Sequence, residues 1–482
     1  MYSLLFLALL SLTLSLVLTP LVSYFCTYCG ILDHPTSRKL HGNPIPRAGG
    51  VAITLSYLLA CAILLITNAK GGSLIWASRD NIFQLIPAAA LVFVVGLVDD
   101  IYGIGAIPKL LAEVAAAMCA YLAGVHLTTF GGHALSSWLS APATVLWLVL
   151  CANSLNLIDG LDGLACGIGI FATATALLAA GVQHNISLAY AVIPLLGALL
   201  GFLRYNFNPA RIFLGDSGSL FVGFLLGCFG LLWTEKSATL LGLTAPLMVF
   251  AIPLLDTTLA IVRRFLHNKP IFSADRGHIH HRLLARGLAP QKVVLLLYAC
   301  CAVGALCSIA VVNSHTSEAA LIVFGLLIWF GINHLKYAEF GIVAHFLRPR
   351  NFSPIIVARM RLTALQEDLA AATTTDARWL AVRSASADLG FNQLCMKVDG
   401  QFYEEFFAQR GSSQQQTCTI RIPLSSTEFI NIGHDFTCST APMIMAPLAS
   451  ILYSGLERKA SLVASAPQER ETPAMVAFEN AS

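Results

Sequence analysis

Five aspartates sit where phosphate and divalent-metal chemistry would need them. Asp99 and Asp100 are adjacent in Gly96-Leu-Val-Asp-Asp100, at the end of an apolar run. Such a like-charged pair costs free energy unless a cation or a proton neutralises it, so one carboxylate can bind Mg²⁺ while the other titrates as a base. Two ordinary helix-ending acids are the plainer alternative. The stretch Asn153-Ser-Leu-Asn156-Leu-Ile-Asp159-Gly160-Leu-Asp162-Gly163 places Asn156 and Asp159 three apart, on one helical face, with glycines that let the chain turn toward a phosphate or metal. A plain Asp-Gly turn reads similarly, and the full ligand set of a calcium loop is missing. Asp216 lies in Arg211-Ile-Phe-Leu-Gly-Asp216-Ser-Gly-Ser219, where the helix that follows offers free N–H donors. The Gly-Asp-Ser-Gly string also surrounds a protease nucleophile, but that chemistry needs an all-β double barrel.

Cations accompany these acids. The loop from Asp33 to Gly50 carries Arg38, Lys39 and Arg47 with three prolines and a glycine pair, able to hold an anion; ordinary anchoring at a membrane surface would use the same residues. Asp275-Arg276-Gly-His278-Ile-His280-His281-Arg282 packs three imidazoles and two guanidinium groups into seven residues. They suit a diphosphate or a metal; with carboxylates at hand for a hard cation, the anion role is favoured for most of them.

The elements that position these groups are apolar runs. Charged residues make up 11% of the chain, hydrophobic residues 56%, and mean hydropathy is +0.73, so its main solvent is lipid. Runs long enough to cross about 30 Å of hydrocarbon fall near 3–25, 48–68, 82–98, 108–125, 142–157, 165–182, 187–203, 218–233, 239–262, 293–312 and 317–337. Lys and Arg concentrate in the loops after odd-numbered runs, which the positive-inside rule makes cytoplasmic. The expected fold is therefore an all-α polytopic membrane protein of about eleven transmembrane helices, N-terminus outside and C-terminus cytoplasmic, with every motif above on the inner side. The first run lacks a basic start and a cleavage site and reads as a retained span. Net charge is +3 and basic residues are dispersed, so nucleic acid is not an expected partner. The thirteen cysteines lie mostly within apolar runs, and Cys26 and Cys29 form a C-x-x-C with no second pair, so neither disulfides nor zinc are expected.

Three segments follow from composition: a membrane domain over 1–340, a cytoplasmic α+β extension over 341–464 and a disordered tail over 465–482. In the extension, Arg359–Ala385 reads as one helix, Leu394–Val398 and Cys418–Ile422 as strands and Ala441–Ala460 as a closing helix. It carries no catalytic constellation.

In order, D-x-P-x-x-R-K-x-H…P-x-x-G-G, V-D-D, N-x-x-D-G-x-D-G-L, F-L-G-D-S-G-S and R-G-H-I-H-H-R-L resemble the polyprenyl-phosphate N-acetylhexosamine-1-phosphate transferases, over about residues 20–290. The resemblance implies transfer of a sugar 1-phosphate from a UDP-N-acetylhexosamine to undecaprenyl phosphate, releasing UMP, with Mg²⁺ or Mn²⁺, in a bacterial cytoplasmic membrane with the site facing the cytoplasm. A homodimer is compatible with it. It implies Asp216, Asp100 and Asn156 as metal ligands, and Asp99, Asp100, Asp159, Asp162 and His280 as catalytic, with Asp99 deprotonating or orienting the lipid phosphate. Arg38, Lys39, Arg47, Lys109, Asn156, Phe213, Arg276, His278, His280 and His281 would bind substrates, Phe213 on uracil. Pro44-Ile-Pro-Arg-Ala-Gly-Gly50 departs from the Thr-rich form of the peptidoglycan branch. That favours the branch opening O-antigen, common-antigen and teichoic-acid synthesis, and N-acetylglucosamine as the sugar. A competing reading, a cation-coupled transporter, expects acids near the membrane midplane; here only Glu113 and Asp256 lie within runs.

Overall fold

The computed structural model describes residues 2–35, 42–67, 85–130, 133–234, 247–248, 250–266, 277–311, 316–335, 352–407, 417–425, 427–435 and 441–457. The chain divides into two compact units, Met1–Val262 with Ile271–Tyr337, and Arg263–Pro270 with Ala338–Ser482.

The first unit is helical. Its elements are α1 (Tyr2–Cys29), α2 (Gly50–Ile66), α3 (Ile86–Tyr102), α4 (Ala106–Leu122), α5 (Ser137–Ile158), α6 (Leu164–Val182), α7 (Ile186–Asn206), α8 (Gly215–Thr234), α9 (Ala251–Leu266, of which residues 251–262 belong to this unit), the short α10 (Ile279–Ala285), α11 (Pro290–Val311) and α12 (Ser317–Leu335). A helix overlaps each apolar run of the sequence. Among the described residues six helices, α1, α5, α6, α7, α8 and α11, are long and apolar enough to cross a membrane, which makes this a multi-pass membrane protein.

Within lipid, helices gain little from hydrophobic association and rely on close packing and interhelical hydrogen bonds. The pair α1 and α7 uses both: Ser11 Oγ donates to Pro194 O at 2.5 Å and Ser15 Oγ to Ala198 O at 2.7 Å. The most buried span is α8, packed among α2, α3, α5, α6 and α7. Two glycines let neighbours press onto its first turn. A Cβ on Gly50 of α2 would lie 2.1 Å from Gly218 N, and one on Gly96 of α3 would lie 2.5 Å from Asp216 O.

Short backbone pairings complete the arrangement. Strands β1 (Leu32–Asp33) and β2 (Ile45–Pro46) fold the first loop back on itself. Its following residues are stitched to the segment before α8: Phe213 N donates to Pro46 O at 2.8 Å, Gly49 N to Phe213 O at 2.9 Å and Gly50 N to Leu214 O at 2.9 Å. A second two-stranded ribbon, β3 (Thr129–Phe130) with β4 (His133–Ala134), joins α4 to α5.

The second unit is α+β. Helices α13 (Phe352–Ala371), α14 (Thr375–Asp388) and α15 (Ala441–Glu457) accompany strands β5 (Gln393–Val398), β6 (Gln401–Phe406), β7 (Thr417–Pro423) and β8 (Phe429–Asp435), an antiparallel sheet in the order β6-β5-β8-β7. Leu394, Met396, Ile430 and Ile432 join Leu362, Leu365, Leu369 and Leu452 in its core. Two sequence expectations change. The helix expected over 359–385 is broken, because Thr374 leaves the helical conformation and its hydroxyl caps Ala377 N. Strands β6 and β8 are additional; in Gln-Phe-Tyr-Glu-Glu-Phe the apolar residues fall on both faces, which hides the period of two. The tail expected over 465–482 lies outside the described residues.

Gly96→Val drives its side chain into the backbone of Asp216, which has no rotamer to yield. It is expected to cost about 3 kcal/mol and lower the unfolding temperature of the detergent-purified protein. Gly181→Ala, where a Cβ meets nothing within 4 Å, leaves that temperature unchanged or raises it.

Candidate active site

Asp100 joins two helices before any chemistry is considered. It sits near the end of α3 and is 4% exposed. Its carboxylate accepts the N–H of Asp216 at 2.9 Å, the N–H of Ser217 at 3.0 Å and the Ser217 hydroxyl at 2.7 Å. The two N–H groups belong to the first turn of α8, where a helix has no internal acceptors. Asp100 therefore caps α8 from a different helix, and the positive end of that helix helps to balance its charge. Arg47 adds a guanidinium 3.4 Å away. Gly215, with φ +70°, leaves room: a Cβ there would lie 2.6 Å from Asp100 Oδ2.

The neighbouring acids meet at one cation. Lys109, on the first turn of α4, places its ammonium against Asp216 Oδ2 and 3.6 Å from Asp99 Oδ2. Asp99 Oδ1 accepts from Ile104 N at 2.8 Å, and Arg47 Nη2 donates to Asp99 O at 3.1 Å. From α5, Asn156 Nδ2 donates to Ser219 Oγ at 2.9 Å, and that hydroxyl donates to Gly215 O at 2.9 Å.

Asp159 and Asp162 flank the turn between α5 and α6. Asp162 Oδ2 accepts from Asn208 Nδ2 and from Ala210 N, each at 2.9 Å, and so braces the loop ahead of α8. Asp159 caps the end of α5. Burial, with the charges of Asp216, Asp100 and Asp162, pushes its carboxyl well above the usual range.

The histidines enter on α10. Asp256 of α9 accepts from His278 Nδ1 at 2.9 Å and from Ile279 N at 2.8 Å, anchoring the start of that helix. His278 stacks on His280, with ring centroids 5.8 Å apart, and His281 lies 4.3 Å from His280. His280 rests on the glycine of the Asp-Gly turn: a Cβ on Gly160 would lie 2.6 Å from its Nε2. Its Nδ1 is buried without a hydrogen-bond partner. Burial, aided by His281, pushes its pKa down to about 4, so the ring is neutral at physiological pH.

A cavity of about 680 Å³ opens among these groups, with Arg47, Asp100, Asp159, Asp162, Phe213, Asp216 and His281 in its wall. Another, of about 410 Å³ between α2, α3, α7 and α8, has no charged residue in its lining and is not a place for phosphate chemistry. Of the residues expected from sequence, Asp99, Lys109 and Asn156 stand beside the charged cavity through Asp216 and the first turn of α8. His278 is instead committed to Asp256. Arg38, Lys39 and Arg276 lie outside the described residues. Sequence reading missed Asp256, whose partner is 22 residues away, and Ser217, as parts of the site. It also missed Glu113, which accepts a hydrogen bond from Asn153; its position one turn after Lys109 was the available signal.

The oxygen donors near Asp216 are of the hard kind that Mg²⁺ and Mn²⁺ take. Among the described residues no three His, Cys, Asp or Glu side chains form a ready cage. Asp99 and Asp216 converge on the Lys109 ammonium, a cation supplied by the protein where a metal would neutralise the same charges.

Two outcomes follow from this geometry. Asp100→Ala strands two buried N–H groups and is expected to cost about 3 kcal/mol, read as a larger fall in unfolding temperature than Asp99→Ala produces. For His280, the folded pKa of about 4 lies below the ordinary 6.5. The stability it preserves is complete above pH 6.5 and is lost as the pH falls toward 4. Unfolding measured from pH 6.5 down to pH 5 should lose about 2 kcal/mol less in His280→Gln than in the unaltered protein.

Residues 82–234, which hold all five aspartates and Lys109, match glycosyl transferase family 4. The chain is 36% identical over 330 residues to the "Probable undecaprenyl-phosphate N-acetylglucosaminyl 1-phosphate transferase" of Bacillus subtilis, covering 66% of this chain and 88% of that protein. It is 30% identical over 346 residues to the decaprenyl-phosphate N-acetylglucosaminephosphotransferase of Mycobacterium tuberculosis, covering 65% of this chain and 85% of that protein. It is also 32% identical over 294 residues to the phospho-N-acetylmuramoyl-pentapeptide-transferase of Chlamydia muridarum, covering 55% and 84%. Identity of this order spans both branches and does not select the sugar. The chain is a phosphotransferase and belongs to the polyprenyl-phosphate N-acetylhexosamine-1-phosphate transferase family.

Proposed function

We infer that the protein transfers N-acetylglucosamine 1-phosphate from its UDP derivative to undecaprenyl phosphate, releasing UMP and initiating a cell-envelope polysaccharide. The observation that carries this reading is the convergence of Asp99 and Asp216 on Lys109 beside a cavity whose wall adds Asp159, Arg47, Phe213 and His281. Anionic substrates need cations and a divalent metal at one place, and a lipid-borne acceptor needs that place at a membrane surface. The basic loops support eleven spans with the site on the cytosolic side, where a UDP-sugar is available.

In the reaction an oxygen of the lipid phosphate attacks the β-phosphorus of the donor. The bond from that phosphorus to the bridging oxygen breaks, and UMP leaves with the electron pair. A bound Mg²⁺ or Mn²⁺ supplies charge neutralisation for the diphosphate, with Asp216 its principal holder. Asp99 receives the acceptor's proton or orients its phosphate, and Lys109 attracts that phosphate. Arg47 and His281 line the place for the diphosphate, and Phe213 offers a face to the uracil. Neutral His280 contributes hydrogen bonding in place of charge. Asp100 and Asp162, expected among the catalytic acids, are bonded to the backbone around the start of α8, so their part is to hold the site in shape. A single displacement suffices, because metal and cations lower the barrier without a carboxylate nucleophile.

The sugar is proposed from the first loop. The relatives described above are transferases, and none is a transporter. The test is UMP release by the purified protein with undecaprenyl phosphate, Mg²⁺ and a panel of UDP-sugars. UDP-N-acetylglucosamine should support release, and Asp216→Asn should abolish it. Undiminished release by that variant removes Asp216 from the metal site, and no release with any UDP-sugar overturns the proposed donor.

A further inference from the structure

Glu113 lies on α4 one turn beyond Lys109 and is 2% exposed. Its Oε2 accepts a hydrogen bond from Asn153 of α5, while its Oε1 is buried with no hydrogen-bond partner. A carboxylate oxygen withdrawn from water and left unbonded is costly, the more so within a membrane helix. The residue has no place in the chemistry above, yet it sits next to the cation on which that chemistry turns. Residues four apart on a helix are neighbours, and the ammonium of Lys109 is within electrostatic reach of Glu113.

Lys109 currently occupies Asp216. A divalent cation held by Asp216 would stand against that ammonium, and like charges at such range repel strongly where water is scarce. The lysine must then leave, and the unbonded oxygen of Glu113 is an acceptor within reach on its own helix.

We propose that Glu113 is a second station for Lys109: cation binding at Asp216 sends the ammonium one turn along α4 to the free Glu113 oxygen, and Asn153 holds that carboxylate ready. Glu113 is thus a positioning residue that acts through Lys109. The inference rests on the reading of Asp216 as a cation holder.

The experiment is a Mn²⁺ titration of the full chain in detergent, followed by loss of the free-ion electron paramagnetic resonance signal. Glu113→Gln keeps the acceptor for Asn153 and the side-chain volume but removes the charge; it should bind Mn²⁺ roughly tenfold more weakly than the unaltered protein. Glu113→Asp, which keeps the charge, should bind within about threefold of the unaltered protein, and Lys109→Met should bind more tightly than either. Adding Glu113→Gln to Lys109→Met should change binding by less than about twofold, since no lysine remains to be moved. Unchanged Mn²⁺ affinity in Glu113→Gln overturns the proposal. So does an equal loss in the Lys109→Met background, which would make the effect purely structural. Mn²⁺ binding that Asp216→Asn leaves intact would instead overturn the underlying metal assignment.

Discussion

The whole site hangs on one buried carboxylate. Asp100 accepts two N–H groups from the first turn of α8 and a hydroxyl from the same turn, and in doing so ties the end of α3 to the start of the most enclosed helix of the unit. A charge so far from water is tolerable only because the donors are fixed and numerous, with an arginine close by. Its neighbours in sequence inherit their positions from it. Asp99 precedes Asp100 in the chain and Asp216 supplies one of the bonded N–H groups, so the junction brings both side chains to a common cation. The close approach of Gly50 and Gly96 to the same turn serves the junction too, since any side chain there would force the helices apart.

Much of this was legible in sequence because it is local. The apolar runs announce the helices, each motif ends or begins a run, and the bias of Lys and Arg gathers the motifs on one side. Division of labour among the acids was not legible. Asp99 and Asp100 are chemically identical and adjacent, yet one shares a lysine and the other caps a helix more than a hundred residues away. Asp162 and Asp159 both border the cavity, but Asp162 also braces the loop ahead of α8 while Asp159 ends α5. The identity of a partner held across the bundle leaves no periodic trace. The role of Asp256 was hidden for that reason; an acid inside an apolar run looks like an ion path until its histidine is found 2.9 Å away.

The electrostatics distinguish a transferase centre from a conduit. A conduit spaces its charges along the membrane depth, whereas here Asp100, Asp159, Asp162, Asp216 and Arg47 line one cavity at the ends of a few helices, and Lys109 ties Asp99 to Asp216 beside it. Lys109 and Arg47 partly neutralise the cluster. A net acidic surplus remains, while His280 on the helix beside it is held neutral by burial.

The pairing of Asp100 with α8 also has a consequence for biogenesis. The carboxylate and the N–H of Asp216 are separated by 116 residues, which at ordinary rates of synthesis is about ten seconds of translation. During that interval α3 is made and must reside at the membrane with two adjacent carboxylates and no helix end to receive them. Arg47 precedes them in the chain and Lys109 follows within ten residues, so both are present almost at once. The two cations are therefore placed to chaperone the aspartates through insertion before they take part in the finished site.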